Sequence, residues 1–366
     1  MSLLTEMGQK AFDLGLPISV HLDVTYRCNE RCVHCYLDHD DHGEMTTAEI
    51  KGVLDQLADA GVFFLTFSGG EVFLRRDFFE LLEHARRLLF NVKIKTNAVM
   101  IREDEAQRIR ALGVDTVQIS IYSHRPEVHD AITKLPGSFE RSIAAIRFLR
   151  DQGLKITIAN VLMTGNLSDQ YKLQKLAADL GVHYTVDPTI TPMMDGDTSI
   201  LSLRIPGEEL QEVFRNPALV QNMEEFCAPP EPPTSEDLEG YSCSAGHSFC
   251  YISPYGDVFP CVQFPLPSGN LRRQTFLEIW NHSPQLNEVR SIRAKDLTVC
   301  SSCSHVSSCT RCPGLAYMEG SMRGPSSADC EKSFHRTGVP TANMLRHDGK
   351  LPARTLLQIQ PLATAL

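Results

Sequence analysis

The chain has few of the features that mark membrane proteins or nucleic-acid-binding proteins. Its 366 residues include one tryptophan, and they contain no run of about 18 apolar residues, the length that a membrane-spanning helix requires. The N-terminus lacks a basic start followed by an apolar core, so we expect no signal peptide. The net charge of −10 disfavours a surface that follows a phosphate backbone. We therefore expect a cytoplasmic protein that binds neither membranes nor nucleic acid.

Cysteine is absent from residues 36–226, yet the chain contains twelve cysteines. Three of them lie within residues 28–35, and nine lie within residues 227–330. Thiols are kept reduced in the cytoplasm, so clustered cysteines there indicate metal ligands or catalytic groups before they indicate disulfides. The distribution therefore predicts metal chemistry in two separate parts of the chain.

Short β-branched segments alternate with amphipathic helical segments in the first half of the chain. The predicted strands cover residues 18–24, 62–68, 92–97, 115–123, 155–163 and 182–188. Helical patterns lie between them at residues 46–61, 77–90, 103–111, 138–152 and 168–180. Six β/α repeats imply a parallel sheet with helices outside it. Six units are too few for an eight-unit barrel, so we predict an α/β fold with an open, partial (β/α)6 TIM-like barrel.

The repeating pattern ends near residue 188, and a proline- and acid-rich segment at residues 227–240 marks a boundary. The predicted units are an N-terminal lead-in (1–16), the barrel (17–205), a helix with a linker (206–240), a small cysteine-rich domain (241–332) and a loosely packed tail (333–366). The cysteine-rich domain has few aliphatic residues. We therefore expect bound metal to stabilise it.

Cys28, Cys32 and Cys35 form a CxxxCxxC motif directly after the first predicted strand, at the sheet edge where β/α barrels build their active sites. The motif resembles the signature of the radical S-adenosylmethionine (SAM) enzymes, with His34 at the position of that family's aromatic residue. The resemblance implies that three thiolates hold a 4Fe–4S cluster whose open iron binds SAM. A structural zinc site is the alternative, but zinc usually takes four ligands within a short span.

A Ser-Gly-Gly-Glu sequence follows the second predicted strand and resembles the GGE motif of the same family, which meets the methionine amino group of SAM. Gly69 and Gly70 allow a close approach, Glu71 adds a negative partner, and Val72 replaces the family's proline. Further contacts are implied at the ends of the third and fourth strands. The predicted SAM-contacting residues are Ser68, Gly69, Gly70, Glu71, Thr96, Asn97 and Ser120.

The C-terminal cysteines resemble the SPASM extension of peptide-modifying radical SAM enzymes, which holds two auxiliary 4Fe–4S clusters. The spacing between Cys309 and Cys312 is two residues, where that pattern has three. The resemblance implies a first auxiliary cluster on Cys243, Cys250, Cys261 and Cys312. It implies a second auxiliary cluster on Cys300, Cys303, Cys309 and Cys330. A zinc ribbon within residues 300–312 is the alternative, but it leaves four cysteines without a role.

Cys227 belongs to none of these sets and lies beside the linker. A free thiol close to a radical site can donate a hydrogen atom to a substrate radical, as a peptide epimerase requires. We therefore name Cys227 as a candidate catalytic hydrogen donor. The alternative is a small thiol without a chemical role.

The resemblance extends over about residues 17–332 and implies a radical SAM oxidoreductase. Such an enzyme cleaves SAM reductively to a 5′-deoxyadenosyl radical, which abstracts a hydrogen from the substrate. Val262 follows Cys261 where sulfatase-maturing members have an aspartate, so we do not expect that chemistry. The layout is most similar to maturases of ribosomally made peptides. We therefore predict a peptide-modifying maturase that makes a cross-link, an oxidised bond or an epimer.

Two kinds of partner follow from this hypothesis. Only 27 residues precede Cys28, so we expect a separate protein to bind any leader of the peptide substrate. A reductant of the flavodoxin or ferredoxin type would supply the electron. Two alternatives stay open: the same chemistry on a small molecule such as a tetrapyrrole, and a non-catalytic iron–sulfur electron carrier or zinc-binding module.

Overall fold

The structure is a computed structural model and describes residues 3–217, 219–220 and 222–346. The strands are β1 (Ser19–Asp23), β2 (Phe64–Ser68), β3 (Asn91–Thr96), β4 (Thr116–Ser120), β5 (Lys155–Val161), β6 (His183–Asp187), β7 (Phe249–Ile252), β8 (Asp257–Phe259) and β9 (Gly269–Asn270). Helices of the first half are α1 (Leu3–Asp13), α2 (Thr47–Asp59), α3 (Phe78–Arg87), α4 (Glu103–Ala111), α5 (Pro126–Thr133), α6 (Ser138–Asp151) and α7 (Gln170–Asp179).

Helices of the second half are short. They are α8 (Gly207–Phe214), α9 (Met223–Phe226), α10 (Ser235–Glu239), α11 (Phe276–His282), α12 (Pro284–Ser291), α13 (Pro313–Met318), α14 (Ser327–Thr337) and α15 (Ala342–Leu345). Short 3₁₀ helices occupy Val72–Leu74, Leu167–Asp169, Ser199–Leu203, Ala294–Asp296 and Cys300–Ser302. None of the helices in the described ranges is long and apolar enough to cross a bilayer.

One sheet of nine strands connects the described elements, in the order β6-β5-β4-β3-β2-β1-β7-β8-β9. Strands β1 to β5 each pair in parallel with the next strand of the chain, and β6 lies at the edge of the sheet. Helices α2 to α7 supply the crossovers that parallel pairing requires. The predicted α/β fold with an open, six-unit TIM-like barrel is therefore confirmed.

Side chains on the barrel strands alternate between an apolar outer face and a polar inner face. Leu22, Phe67 and Ile94 are fully buried in the core beneath the helices. The strand residues on the inner side that line a central cavity are His21, Ser68, Lys95, Gln118, Ser120, Thr185 and Asp187. Parallel strands are commonly apolar on both faces. Here the polar inner face leaves an open cavity instead of a filled core.

The cysteine-rich region continues the barrel sheet instead of forming a separate layer. Strand β7 pairs in parallel with β1, and its Cys250 and Ile252 belong to the same apolar core as the barrel strands. The indole N–H of Trp280 in α11 donates a hydrogen bond of 2.8 Å to the carbonyl of Gly15. The predicted boundary at residues 240–241 therefore separates the motifs without interrupting the sheet or the core.

The ends of the chain hold more regular structure than the sequence patterns suggest. Helix α1 lies within the predicted lead-in, and α14 and α15 extend into the predicted tail at residues 333–366. The hydroxyl of Thr341 caps α15 by accepting from the N–H of Met344. The part of the predicted tail from residue 347 onwards lies outside the described residues.

Candidate active site and auxiliary cluster sites

A cavity of about 500 Å³ opens at the carboxyl ends of the barrel strands. It collects residues from the cysteine loop, from the turn after β2, from the ends of β3 and β4, and from the C-terminal region through Val262 and Gln263. The predicted site residues that line it are Cys28, Cys32, Cys35, Ser68, Gly69, Gly70, Thr96, Asn97 and Ser120. Stretches that are far apart in the sequence therefore meet at one site.

Helix α5 holds the cysteine loop from behind. The N–H groups of Arg31 and Val33 donate hydrogen bonds of 2.9 and 3.0 Å to the carbonyls of Thr133 and Ile132, at the carboxyl end of that helix. Carbonyls in the last turn of a helix have no partner within the helix, so they are free to accept from the loop. Helix α5 therefore fixes the backbone between the first and third cysteines.

The turn after β2 lies directly against the backbone that leads into the cysteine loop. The N–H of Gly70 donates to the carbonyl of Thr25 at 2.8 Å, and the N–H of Glu71 donates to the carbonyl of Arg27 at 2.9 Å. A Cβ atom on Gly69, whose φ is +142°, would lie 2.1 Å from the Thr25 carbonyl oxygen. A Cβ atom on Gly70 would lie 2.4 Å from the Arg27 carbonyl oxygen. Both contacts require glycine.

Glu71 is buried behind the cavity and is not one of the residues that line it. Its carboxylate lies 2.8 Å from the hydroxyl of Thr96 and accepts from the backbone N–H groups of Asn97, at 2.8 Å, and Phe73, at 3.0 Å. Burial raises the pKa of Glu71, while these hydrogen bonds oppose the rise. Glu71 thus joins the ends of β2 and β3 and sets the position of Asn97.

Asn97 connects the end of β3 to the cysteine loop. Its side-chain amide donates to Oδ1 of Asn29 at 2.8 Å and lies 3.8 Å from Sγ of Cys28. The backbone N–H of Glu30 lies 3.4 Å from the same sulfur. Hydrogen bonds to a ligating sulfur stabilise its anionic form.

A buried polar network lies on the inner side of β1 and β7, and the sequence patterns did not indicate it. Nε2 of His21 donates to Oδ1 of Asp23 at 3.0 Å, and the hydroxyl of Tyr251 donates to Oδ2 at 2.8 Å. The hydroxyl of Tyr26 then donates to that of Tyr251 at 2.7 Å. The polar residues at every second position of β1 are the sequence feature from which this network could have been predicted.

The first set of C-terminal cysteines is brought together from β7, from the segment after β8 and from the start of α13. Burial raises the pKa of Cys261 to about 12, and the neighbouring Cys243 and Cys312 thiols raise it further. Burial also raises the pKa of Cys250, which interacts with Cys261. Backbone N–H groups lie 3.4 Å from the sulfur of Cys243 and 3.5 Å from the sulfur of Cys312.

The second set surrounds its own cavity of about 130 Å³. The cysteines that line this cavity are Cys300, Cys303, Cys309 and Cys330. Burial raises the pKa of Cys330 to about 12 and that of Cys309 to about 11. Arg311 also lines the cavity, and Nη1 of its buried guanidinium has no hydrogen-bond partner among the described residues. The four cysteines of the second predicted set therefore share one cavity, and the division of all eight cysteines into two cluster sites stays a prediction.

Comparison with known proteins adds to this geometry. Residues 22–174 match the model of the Radical SAM superfamily, and residues 243–313 match SPASM, an iron–sulfur cluster-binding domain. The chain is 30% identical to the AdoMet-dependent heme synthase of Methanosarcina barkeri, over 82% of this chain and 92% of that protein. The chain belongs to the radical SAM superfamily.

Other relatives are named for different activities. This radical SAM protein is also 30% identical to the mycofactocin maturase MftC of Mycobacterium tuberculosis, over 81% of this chain and 79% of that protein. Among solved structures, Streptococcus suis SuiB bound to its precursor peptide SuiA matches with a TM-score of 0.71 at 19% identity, over 89% of this chain and 80% of SuiB. That likeness confirms the partial-barrel fold with a SPASM region.

Membership of this superfamily makes the protein an enzyme that uses SAM and a 4Fe–4S cluster, and the SPASM domain adds auxiliary 4Fe–4S clusters. The non-catalytic alternatives are therefore set aside. We propose Cys28, Cys32 and Cys35 as the ligands of the SAM-binding cluster. Burial raises the pKa of Cys28 to about 12 and also raises those of the other two thiols, so bound cationic iron would be needed to hold them as thiolates.

A cluster does not require these thiols to converge on one metal ion. Within the described ranges, no group of three or more His, Cys, Asp or Glu side chains is placed to hold a single metal ion. Each cysteine ligand of a cubane cluster binds a different iron, so the thiols need not converge on one point. We propose the same for the two auxiliary sets.

Arg311 provides a test of the second auxiliary set that does not depend on activity. A positive charge beside a cluster favours its more negative, reduced form, so we expect Arg311→Met to lower one midpoint potential by tens of mV. Anaerobic redox titration followed by EPR measures this shift. Arg323→Met removes the same charge at an ion pair with Glu288, outside this cavity, and should leave all potentials unchanged. Equal potentials in both variants would contradict the assignment.

From the burial of His129 in α5, we predict that the stability of the protein depends on pH. Burial lowers the pKa of His129 to about 4, and its Nδ1 accepts from the N–H of Tyr122 at 3.2 Å. Between about pH 4 and 6.5, His129 therefore binds a proton in the unfolded chain but not in the folded protein. As the pH is lowered from 6.5 to 5, this difference lowers the free energy of unfolding by about 2 kcal/mol. Anaerobic urea unfolding of the cluster-loaded protein should show a smaller fall in His129→Asn. An equal fall would exclude His129 as the cause.

Cys227 lies away from the central cavity. Its thiol lies 3.6 Å from the carbonyl oxygen of Phe214, and the residue packs against a small apolar cluster that includes Leu210 and Val213. It is not one of the residues that line the cavity. The structure therefore does not bring this predicted hydrogen donor to the other site residues.

Proposed function

We propose that this radical SAM enzyme modifies a peptide by removing a hydrogen atom from a carbon held in the central cavity. The observation that carries the proposal is a second cavity of about 230 Å³ that shares Thr189 and Ile190 as walls with the central one. It continues from the segment that follows β6 towards α14. An extended substrate could occupy both cavities, with its reacting residue inside the barrel.

The second cavity offers polar groups that suit a peptide backbone. Nε of Arg204 donates to the carbonyl of Ile190 at 2.9 Å, while its buried Nη1 has no hydrogen-bond partner among the described residues. Nζ of Lys332 donates to the hydroxyl of Thr189 at 2.9 Å. These donors lie along the wall shared by the two cavities, where peptide carbonyls could accept from them.

In the central cavity, we propose that Ser68, Gly69, Gly70, Asn97 and Ser120 bind SAM. With the reduced cluster, SAM supplies the 5′-deoxyadenosyl radical that abstracts hydrogen. The protein's part is to hold the reacting groups in place and to exclude water. Glu71 and Thr96 set the end of β3 from behind, so we propose that they act by positioning Asn97.

Residues of the C-terminal region complete the cavity wall. Val262 and Gln263, which follow Cys261, also line the cavity. The first auxiliary set therefore lies beside the proposed substrate position, where a cluster is able to accept an electron from the substrate. We further propose a separate leader-binding protein, a flavodoxin- or ferredoxin-type reductant and a cytoplasmic location.

A second candidate function has support of its own. The similarity to a heme synthase covers 92% of that protein, which favours the same chemistry on a tetrapyrrole side chain. The similarity to the mycofactocin maturase and to SuiB in complex with its precursor peptide SuiA supports a peptide substrate. We rank the peptide first because the second cavity extends the site beyond the barrel.

The test uses the reconstituted protein, a flavodoxin or dithionite as reductant, and SAM under anaerobic conditions. The probes are pools of synthetic random pentapeptides and, in parallel, protoporphyrin IX. We expect a changed peptide mass in step with 5′-deoxyadenosine, and neither product from the Cys28/Cys32/Cys35→Ala variant. Conversion of the porphyrin with unchanged peptides would replace the peptide by the tetrapyrrole. Absence of 5′-deoxyadenosine from the wild-type protein would overturn the proposed function.

A further inference from the structure

Lys95 stands out among the residues that line the central cavity. No other lysine or arginine lines it within the described part of the chain. The side chain lies on the inner side of β3, two residues before Asn97, and pairs in register with Gln118 of β4. Burial lowers the pKa of Lys95, with a smaller contribution from Lys93. An ammonium group that is partly withdrawn from water loses hydration, so a nearby anion would stabilise it.

The protein supplies no direct partner for this ammonium group. Among the described residues, Lys95 has no ion pair within 4.0 Å and no side-chain hydrogen bond. Asp23 interacts with it electrostatically, but both oxygens of that carboxylate are already engaged, by His21 and Tyr251. The hydrogen-bond network beside Lys95 thus holds the carboxylate of Asp23 in place. It leaves the ammonium group of Lys95 without a direct partner among the described residues.

The position of Lys95 in the cavity allows its side chain to bind a ligand. It lies between the turn at Ser68–Gly70 and the side chain of Gln118, which also lines the cavity. An ammonium group and an amide N–H₂ together supply the donors that a carboxylate accepts. Asp187 also lines the cavity and interacts with Lys95 electrostatically, but it does so more weakly than Asp23 and forms no ion pair with Lys95. His21, which also lines the cavity, is held uncharged because burial lowers its pKa.

We propose that Lys95 and Gln118 form a subsite for a carboxylate of the substrate, which is held close to the carbon that reacts. The carboxylate could belong to a peptide C-terminus, to an acidic side chain or to the propionate of a tetrapyrrole. The inference rests on the proposed function in one respect: the central cavity is the substrate site. It goes further by naming a negatively charged group that the substrate must carry.

The test measures binding and SAM cleavage separately, because SAM has a carboxylate of its own. Cluster-loaded enzyme with SAM is mixed with pools of random pentapeptides, and retained peptides are identified by mass spectrometry after ultrafiltration. One pool has free C-termini, one is amidated, and versions of each lack Asp and Glu. Protoporphyrin IX and its dimethyl ester form the tetrapyrrole arm. The variants are Lys95→Met, Lys95→Arg and the control Lys93→Met, an exposed lysine of the same strand.

We expect wild type and Lys93→Met to retain a carboxylate-bearing probe over its amide or ester by about tenfold, and Lys95→Met to lose that preference. Lys95→Arg should recover part of it. The pool that shows the preference identifies the source of the carboxylate. SAM cleavage without substrate should keep its KM for SAM in every variant, because Lys95 is assigned to the substrate.

Three results would overturn the inference: no preference in wild type, an unchanged preference in Lys95→Met, or a raised KM for SAM in that variant. The last result would assign the lysine to the cofactor. Failure of the proposed function is distinguishable, since it would appear as retention of carboxylates without 5′-deoxyadenosine formation. Conversely, 5′-deoxyadenosine formation without a carboxylate preference removes the inference and leaves the function.

Discussion

Replacement of Cys28, Cys32 and Cys35 by alanine is expected to lower the iron content from about 12 to about 8 per chain and to abolish SAM cleavage. The reason is that these thiols alone among the cysteines line the central cavity of the described structure. We expect 5′-deoxyadenosine formation below about a thousandth of the wild-type rate, because no other group there carries the electron. Iron and sulfide analysis with chromatographic assay of 5′-deoxyadenosine measures both effects.

Cys227→Ala is the matched control for that variant. It also removes a thiol, but one that lies against Phe214 and outside the cavity. Iron content and SAM cleavage should both equal those of the wild type. If the triple variant kept about 12 irons, or if Cys227→Ala lost about 4 of them, the ligand assignment would be wrong.

Gly70→Ala is expected to destabilise the protein by about 3 kcal/mol or more and to raise the KM for SAM. The added Cβ would lie 2.4 Å from the carbonyl oxygens of both Tyr26 and Arg27. These atoms belong to the backbone and cannot rotate away as a side chain would. The turn must therefore separate from the strand that leads into the cysteine loop, and the two halves of the SAM site move apart.

The control for this prediction is Gly52→Ala in α2, where the new Cβ would meet no atom within 4 Å. A helical glycine replaced by alanine should stabilise the protein by about 0.5–1 kcal/mol. Anaerobic urea unfolding gives the stability of both variants, and SAM cleavage gives the KM. A Gly70→Ala protein with wild-type stability and KM would show that the turn does not depend on this close approach.

The strands and helices of the barrel were predictable because the patterns that specify them lie within short segments of the sequence. Each of the six predicted strands overlaps an observed strand, and the predicted helix at residues 103–111 has the bounds of α4. Helical and strand periods are properties of short windows, so they are visible without knowledge of the fold. The meeting of the cysteine loop with the glycine turn also followed, because the carboxyl ends of parallel strands share one edge.

The parts that were missed depend on contacts between distant residues. The pairing of β7 with β1 joins residues about 230 positions apart, and no local pattern encodes such a partner. The inward direction of Lys95 was present in the alternation of β3, yet the role of the inner face became clear only with the cavity around it. Likewise, the carboxylate of Glu71 is a group that can bind a cofactor, but its burial against Thr96 depends on the tertiary structure.

The pairing of β7 with β1 also bears on how the chain is made. Until residues 249–252 have left the ribosome, β1 has no partner on one side, and its free N–H and C=O groups form an open edge. Such an edge invites pairing with other nascent chains, and long-range parallel pairing forms slowly. A version of the enzyme cut after residue 240 would keep that edge permanently. We therefore expect the barrel and the cysteine-rich region to fold as one unit.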